Sequence, residues 1–418
     1  MQFPKMIRIR QTFDPRKIED IGTEVKTGMQ ALQLESKITP GQTVAIACSS
    51  RGITNYSTIV KEVVSTLKRM KLEPFIIPAM GSHGAATAEG QQRVLAHLGV
   101  TEASTNAPVR SSLDVIQIGE TGEGIPVYMD KQAAEADHIV LVNRIKKHTE
   151  FEHEFESGLM KMMAIGLGKQ AGAAMYHQAM LTHGYVKVIR SIARKVMQKA
   201  SILYGVGIVE NGYGQTAEIG ICSREKIEQQ EISLLKLAKE LAPALPFDEA
   251  DVIVIDEMGK EISGMGFDTK VVGRIGLPLI TADPEFPKIK RIMVCDLTEG
   301  SEGNAVGVGN ADVITQRLLK KIDQEALDMN TITGACPESG KIPLTLKNDQ
   351  EALDVTIRCV GLIPLDRLKI IRIKNTSCLN EIDVSEAYST EIERHGKLEV
   401  IKEKHALTFD DEGNLPPF

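Results

Sequence analysis

Short apolar runs recur through the first half of the chain at intervals that suit buried strands, at 43–47, 74–77 and 138–142. Each ends in a polar, basic or glycine-containing loop, the pattern of strands covered on both faces of a parallel sheet. Between these runs the apolar period changes. Ile59, Val63, Val64, Leu67 and Met70 recur at helical spacing, and Thr87 is placed to cap a helix carrying Val94, Leu95 and Leu98. The stretch 114–130 breaks this alternation, since apolar positions at 115–118 and 125–128 flank Gly119 and Gly124, a hairpin signal.

The run 241–246, reading LAPALP, follows a helical pattern and precedes a strand, which places a domain boundary after residue 245. Beyond it, 251–256, 290–296, 353–360 and 368–374 read as strands, interleaved with helical segments such as 313–323. The expected fold class is α/β, with two α/β domains (1–245 and 246–418), mainly parallel sheets and an active-site cleft between them. A C-terminal tail is expected to return to the first domain.

Composition narrows the function. The chain has 418 residues, 42% of them hydrophobic, enough for two full cores. A net charge of −7, with 4% aromatics and no Trp, offers neither a basic stripe nor stacking platforms, so nucleic acid is not an expected partner. The first residues lack the apolar core of a signal peptide, and no run approaches the roughly 20 apolar residues that span a bilayer. A cytoplasmic protein without a membrane partner is expected. Six cysteines lack CxxC spacing, so most are read as buried thiols instead of zinc ligands or disulfides.

Candidate chemistry follows from the strand pattern. In open parallel sheets ligands sit outside the carboxyl ends of the strands. That rule selects four loops: Cys48-Ser49-Ser50-Arg51-Gly52, Gly81-Ser82-His83-Gly84, residues 143–148 and residues 257–274. Any one histidine there is ordinarily a solvated loop residue, but Arg51, His83 and His148 stand on three neighbouring strand ends. Lys161 lies in the apolar run GLMKMMAIG, where desolvation favours a neutral, nucleophilic amine, although a snorkelling lysine is the ordinary alternative. The glycine-rich stretch 299–312 and the Gly166-Leu167-Gly168-Lys169 run lack the spacing of a nucleotide fingerprint, which disfavours a Rossmann dehydrogenase.

The ordered series Arg51, His83, His148, Lys161 and His177 resembles nickel-dependent lactate racemase and the wider family of nickel-pincer racemases and epimerases. The resemblance covers most of the chain and marks a divergent branch. Cys48 stands where the family commonly has an aspartate, SGLMKMMAIG replaces a Gly-Gly-Arg-Lys form, and extra residues separate His148 from Lys161. His153 therefore rivals His148, and Lys169 rivals Lys161, whose spacing to His177 is the family's.

The resemblance implies a nickel-pincer nucleotide (pyridinium-3-thioamide-5-thiocarboxylic acid mononucleotide) joined to Lys161, with His177 as the protein ligand to nickel. Gly158 and Gly166 would let the backbone approach the cofactor. It further implies reversible hydride transfer from a 2-hydroxy acid through a 2-oxo acid, with His83 and His148 as acid and base. Arg51 would grip a carboxylate or a cofactor phosphate, and Lys270 and Arg274 are substrate-binding candidates from the second domain. Lys146 and Lys147 are further cations that would suit a more acidic substrate. The implied partners are the small-molecule substrate and cofactor-synthesis proteins. Two other readings stand beside this one: a metal-dependent hydrolase with His83, His148 and His177 as ligands, and a non-catalytic cofactor- or metal-binding protein.

Overall fold

The computed structural model describes residues 2–50, 52–277 and 281–418; Arg51 lies outside them. Strand β1 (Met6–Gln11) is followed by β2 (Thr43–Cys48), β3 (Glu73–Pro78), β4 (Val115–Glu120), β5 (Pro126–Asp130), β6 (His138–Arg144), β7 (Ile202–Glu210) and β8 (Thr216–Ser223). Among the described residues, β3-β2-β6-β7-β8 form one sheet in that order, parallel except for the β7–β8 pair. The expected hairpin is present as the antiparallel β4–β5 ribbon.

Side chains alternate across this sheet. Val44, Ile46 and Cys48 join a core cluster with the helices Ile21–Gln30 and Tyr56–Arg69, whereas Ala45 and Ala47 face a second cluster that includes the helices Tyr185–Lys199 and Ile227–Leu241. Cover on both faces is why β2 reads as an unbroken apolar run. Thr87 caps the helix Ala88–His97, its hydroxyl accepting from Gly90 N–H at 3.0 Å.

The remaining strands are β9 (Glu249–Met258), β10 (Lys288–Leu297), β11 (Val313–Thr315), β12 (Leu344–Leu346), β13 (Ile370–Ile373), β14 (Glu381–Ser385) and β15 (Leu398–His405). They pair in the order β12-β11-β10-β9-β13-β14-β1-β15, parallel from β12 to β13 and antiparallel beyond. Both large sheets are therefore mainly parallel in an α/β chain.

Two elements differ from expectation. The stretch 353–360 is not a strand, because Asp349–Arg358 is a helix whose N-cap Asn348 accepts from Glu351 N–H at 3.0 Å. Its alternating Leu353, Val355 and Ile357 imitate a strand, but capping and a buried face of Ala352, Leu353 and Thr356 prevail. The expected helix 313–323 opens instead with β11, and the helix proper, Gln316–Lys321, starts at its cap Thr315.

The chain divides into two compact units, one of residues 16–242 and 333–335, the other of residues 1–15, 243–332 and 336–418. The division falls within the proline-containing 241–246 run, but the first fifteen residues depart from the expected 1–245 domain. Their strand β1 pairs with β14 and β15, and Arg8 forks onto Asp383 at 2.8 and 2.9 Å. The C-terminal tail also stays with this second unit: Leu415 N–H donates to Asp349 Oδ2 at 2.9 Å, and Arg8 lies 4.3 Å from the Phe418 ring centroid. No helix among the described residues is long and apolar enough to cross a membrane. Cys48, Cys222, Cys295 and Cys336 are buried free thiols, as the spacing implied for most of the six.

Candidate active site

Because β3, β2 and β6 are parallel neighbours, the loops that follow them emerge at one edge of the sheet. Tyr56, buried, ties two of these ends together: its hydroxyl accepts from Ser49 N–H at 2.7 Å and donates to Val142 O at 3.1 Å. Burial pushes the Cys48 thiol up to about 12, so it stays neutral and does not reproduce the charge of an aspartate.

The His83 loop is built on glycine. Gly81 and Gly84 have φ of +61° and +65°, and a Cβ on Gly84 would lie 2.4 Å from the Gly90 carbonyl carbon. Gln91, fully buried, donates through Nε2 to Gly81 O at 2.8 Å and to His83 O at 3.3 Å. The other end of Gln91 accepts from Lys169 Nζ at 3.4 Å. Lys169 is also fully buried, pairs with Asp130 at 2.9 Å and donates to Pro78 O.

The rival attachment lysine is therefore already engaged in holding the fold. It ties the ends of β3 and β5 to Gln91, and through Gln91 to the His83 loop. Desolvation holds its pKa below the ordinary lysine value against the opposing pull of Asp130. Lys169→Met leaves Asp130 buried without its cation and is expected to cost about 3–5 kcal/mol. The shift in urea midpoint measures this loss, and the Lys169→Met/Asp130→Asn double variant should recover most of it.

Lys161 ends a single helical turn, Leu159–Lys161, which passes directly into a π-turn, Met162–Gly166. Such turns are rare and concentrate at functional sites. Lys161 is half-buried, and its Nζ meets Nε2 of the buried His148. His148 Nδ1 accepts from Glu150 N–H at 3.1 Å.

The His148 ring stacks on Phe151 (4.3 Å, 26°), which stacks on Tyr185 (5.0 Å, 25°). Glu156, buried and paired with Lys239 at 2.7 Å, closes the loop by accepting from the backbone N–H groups of His148 and His153. Between the two rival histidines the contrast is plain. His148 is buried against Lys161, and His153 is exposed.

Gly81 shows how the segments gather. A Cβ there would lie 3.1 Å from Ile165 Cγ2 and 3.6 Å from Ala173 Cβ. Ile165 lies about one helical turn after Lys161, and Ala173 about one turn before His177 on the helix Lys169–His183. The His83 loop, Lys161, His148 and the His177 helix therefore surround one region.

A Cβ on Gly158 would lie 2.4 Å from Glu231 Oε1, and one on Gly166 would lie 2.6 Å from Ala79 O. Both glycines permit close internal packing.

In the other unit, Lys270 N–H donates to Asp268 Oδ1 at 2.9 Å, and Asp268 N–H donates to Thr376 Oγ1 at 2.8 Å, just past the carboxyl end of β13. Arg274 belongs to the opposite end of the parallel strands. It pairs with Asp312 at 2.7 Å and donates to Asn310 O at 3.1 Å and Lys290 O at 3.2 Å, beside the starts of β10 and β11. Arg274 is a structural ion pair and drops out as a substrate contact.

Sequence reasoning missed Glu231. It is fully buried on the helix Ile227–Leu241, and its Oε2 accepts from Met160 N–H at 2.8 Å. The signal was present, since Glu231 falls on the apolar stripe of Ile227, Leu234, Leu235 and Ala238. Desolvation raises its pKa from 4.5 to about 8, opposed by hydrogen bonds from Met160 and Leu159 N–H. A carboxyl raised in this way contributes stability that is complete below about 4.5 and is lost as pH rises through about 8. Glu231→Gln, which does not titrate, should gain on the wild type by about 3–5 kcal/mol between about pH 4.5 and pH 9, measured as paired urea midpoints.

These features define a class: an α/β chain that sets a lysine against an imidazole beyond the carboxyl ends of parallel strands. Residues 6–187 match the model of the lactate racemase N-terminal domain. A solved structure, the lactate racemase apoprotein from Thermoanaerobacterium thermosaccharolyticum, shares the fold with a TM-score of 0.52 at 14% identity. That match covers 90% of this chain and 99% of the other. No curated protein sequence matches the chain.

Proposed function

We propose that the chain is a racemase or epimerase of a 2-hydroxy acid that works with a nickel-pincer nucleotide attached to Lys161. The observation that carries this reading is the gathering of Lys161, His148, the His83 loop and the His177 helix inside the segment matched by the lactate racemase N-terminal domain. The donor set fits the group. A primary amine beside an imidazole would suit a covalent link at Lys161, and one further imidazole, His177, would serve as a protein ligand to nickel.

Among the described residues no three His, Cys, Asp or Glu side chains stand together as a metal site. A hydrolase held by His83, His148 and His177 needs such a cluster; a nickel centre with one protein ligand does not. When bound, the cofactor would take hydride from C2 of the substrate and return it.

The chain's own residues do the rest. His83 and His148 hold and move the substrate's hydroxyl proton, one for each enantiomer. Gln91 and Lys169 keep the His83 loop in place, and the Phe151 stack fixes the plane of His148. Arg51 is assigned to the substrate carboxylate or cofactor phosphate, and with Lys146 and Lys147 it favours a substrate more acidic than lactate. Cofactor-synthesis proteins are the partners this reading requires.

The test is a panel of single-enantiomer 2-hydroxy acids, given to cofactor-loaded protein in heavy water. Hydride transfer predicts inversion with the original hydrogen kept at C2. Deuterium at C2 contradicts the hydride route, and no inversion across the panel favours a non-catalytic carrier.

A further inference from the structure

We infer that Glu231 is a positioning residue for Lys161: its buried carboxyl, delivered from the helix Ile227–Leu241, fixes the turn from which the lysine projects. The inference rests on the proposed role of Lys161. Its evidence is the construction of residues 158–162. A single helical turn does not hold itself, because nucleation fixes several dihedrals for one hydrogen bond. Here that bond is Met162 N–H to Gly158 O at 3.0 Å.

The rest of the support comes from other elements. Asn143, at the end of β6, donates to Gly158 O at 2.8 Å. Gly205 of β7 leaves room for Leu159, since a Cβ there would lie 2.7 Å from Leu159 Cδ1. Glu231 supplies the acceptor for Met160 N–H, and Gly158 packs against its other oxygen, Oε1. The carboxyl thus touches the residues on both sides of Leu159 and sets the backbone one residue before Lys161.

A buried carboxyl is a costly way to hold the backbone N–H groups of Met160 and Leu159, and its surroundings do not offset that cost. Cys222 on β8 faces it with a thiol raised to about 12, hence neutral. Glu228, on the same helix, is taken up by Arg190 at 2.7 Å and Arg194 at 3.0 Å. Near neutral pH the fold therefore holds Glu231 protonated: it anchors the turn without placing a negative charge against the backbone that leads into Lys161. Once ionised, it would draw a proton onto Lys161 and reduce the amine's nucleophilicity.

The test labels Lys161 without any cofactor. Pyridine-3-carboxaldehyde condenses with an amine, losing water, and cyanoborohydride reduces the imine, so the peptide bearing Lys161 reports reactivity by mass spectrometry against exposed lysines of the same protein. Glu231→Leu is expected to lower Lys161 labelling about tenfold at about pH 7, because the turn is no longer held. Glu231→Gln keeps an acceptor for Met160 and should label like the wild type at that pH, then exceed it above about pH 8, where only the wild type ionises.

Wild-type and Glu231→Gln profiles that coincide at every pH, with Glu231→Leu labelling undiminished, would overturn the inference. If Glu231→Leu does not fold, the Glu231→Gln profile alone decides. Failure of the cofactor reading is seen separately, as no nucleotide adduct on Lys161 in protein made with the synthesis proteins.

Discussion

Lys161→Arg is expected to remove the covalent cofactor and hydroxy-acid inversion together. Arginine keeps length and charge, but its guanidinium stays protonated and is no nucleophile, so the thioamide link does not form. Lys161 differs from the nearby Lys169 in this respect. Lys169 is fully buried among Asp130, Pro78 O and Gln91, whereas Lys161 is half-buried and faces the imidazole of His148. Intact mass should show the adduct lost in Lys161→Arg, with the thermal transition close to that of the wild type. An adduct surviving in Lys161→Arg would move the attachment site elsewhere.

The second large effect is expected from the imidazoles. His83→Gln and His148→Gln should each lower the inversion rate by about 10²–10⁴-fold, the usual worth of a positioned acid or base. In His83→Gln the Lys161 adduct should remain, because His83 stands on a separate loop whose backbone carbonyls at Gly81 and His83 accept from Gln91. His153→Gln, at an exposed position, should change little. Rates of interconversion from both enantiomers, set beside adduct mass for each variant, separate loss of acid–base chemistry from loss of cofactor.

Much of this arrangement was legible because periodicity reports burial. The unbroken apolar runs of β2, β3 and β6 gave a parallel sheet, and its strand ends gave the loops of His83 and His148. The helix Asp349–Arg358 was misread as a strand because Leu353, Val355 and Ile357 alternate, while the deciding cap, Asn348, lies outside the run. β1 was not legible as part of the second unit, since its pairing with β14 joins residues far apart in sequence and leaves no local signal.

The site divides in the same way. Lys161 stood out by its apolar run, and His177 through the resemblance to the lactate racemase family. What holds them came from tertiary contacts: Gln91 and Lys169 behind the His83 loop, Phe151 and Tyr185 behind His148, and Glu231 beneath Lys161. Arg274 looked like a substrate cation because it follows a strand by sequence, yet the loop carries it back to the amino end of the sheet. Gly158 and Gly166 pack closely against the protein's own atoms.

The most direct test of the central claim is peptide mass spectrometry with nickel analysis on protein co-produced with the cofactor-synthesis proteins. The proposed function predicts a nucleotide adduct on the Lys161 peptide and about one nickel per chain, with nickel lost in His177→Ala while the adduct remains. An unmodified Lys161, under conditions that load a known lactate racemase, would contradict it.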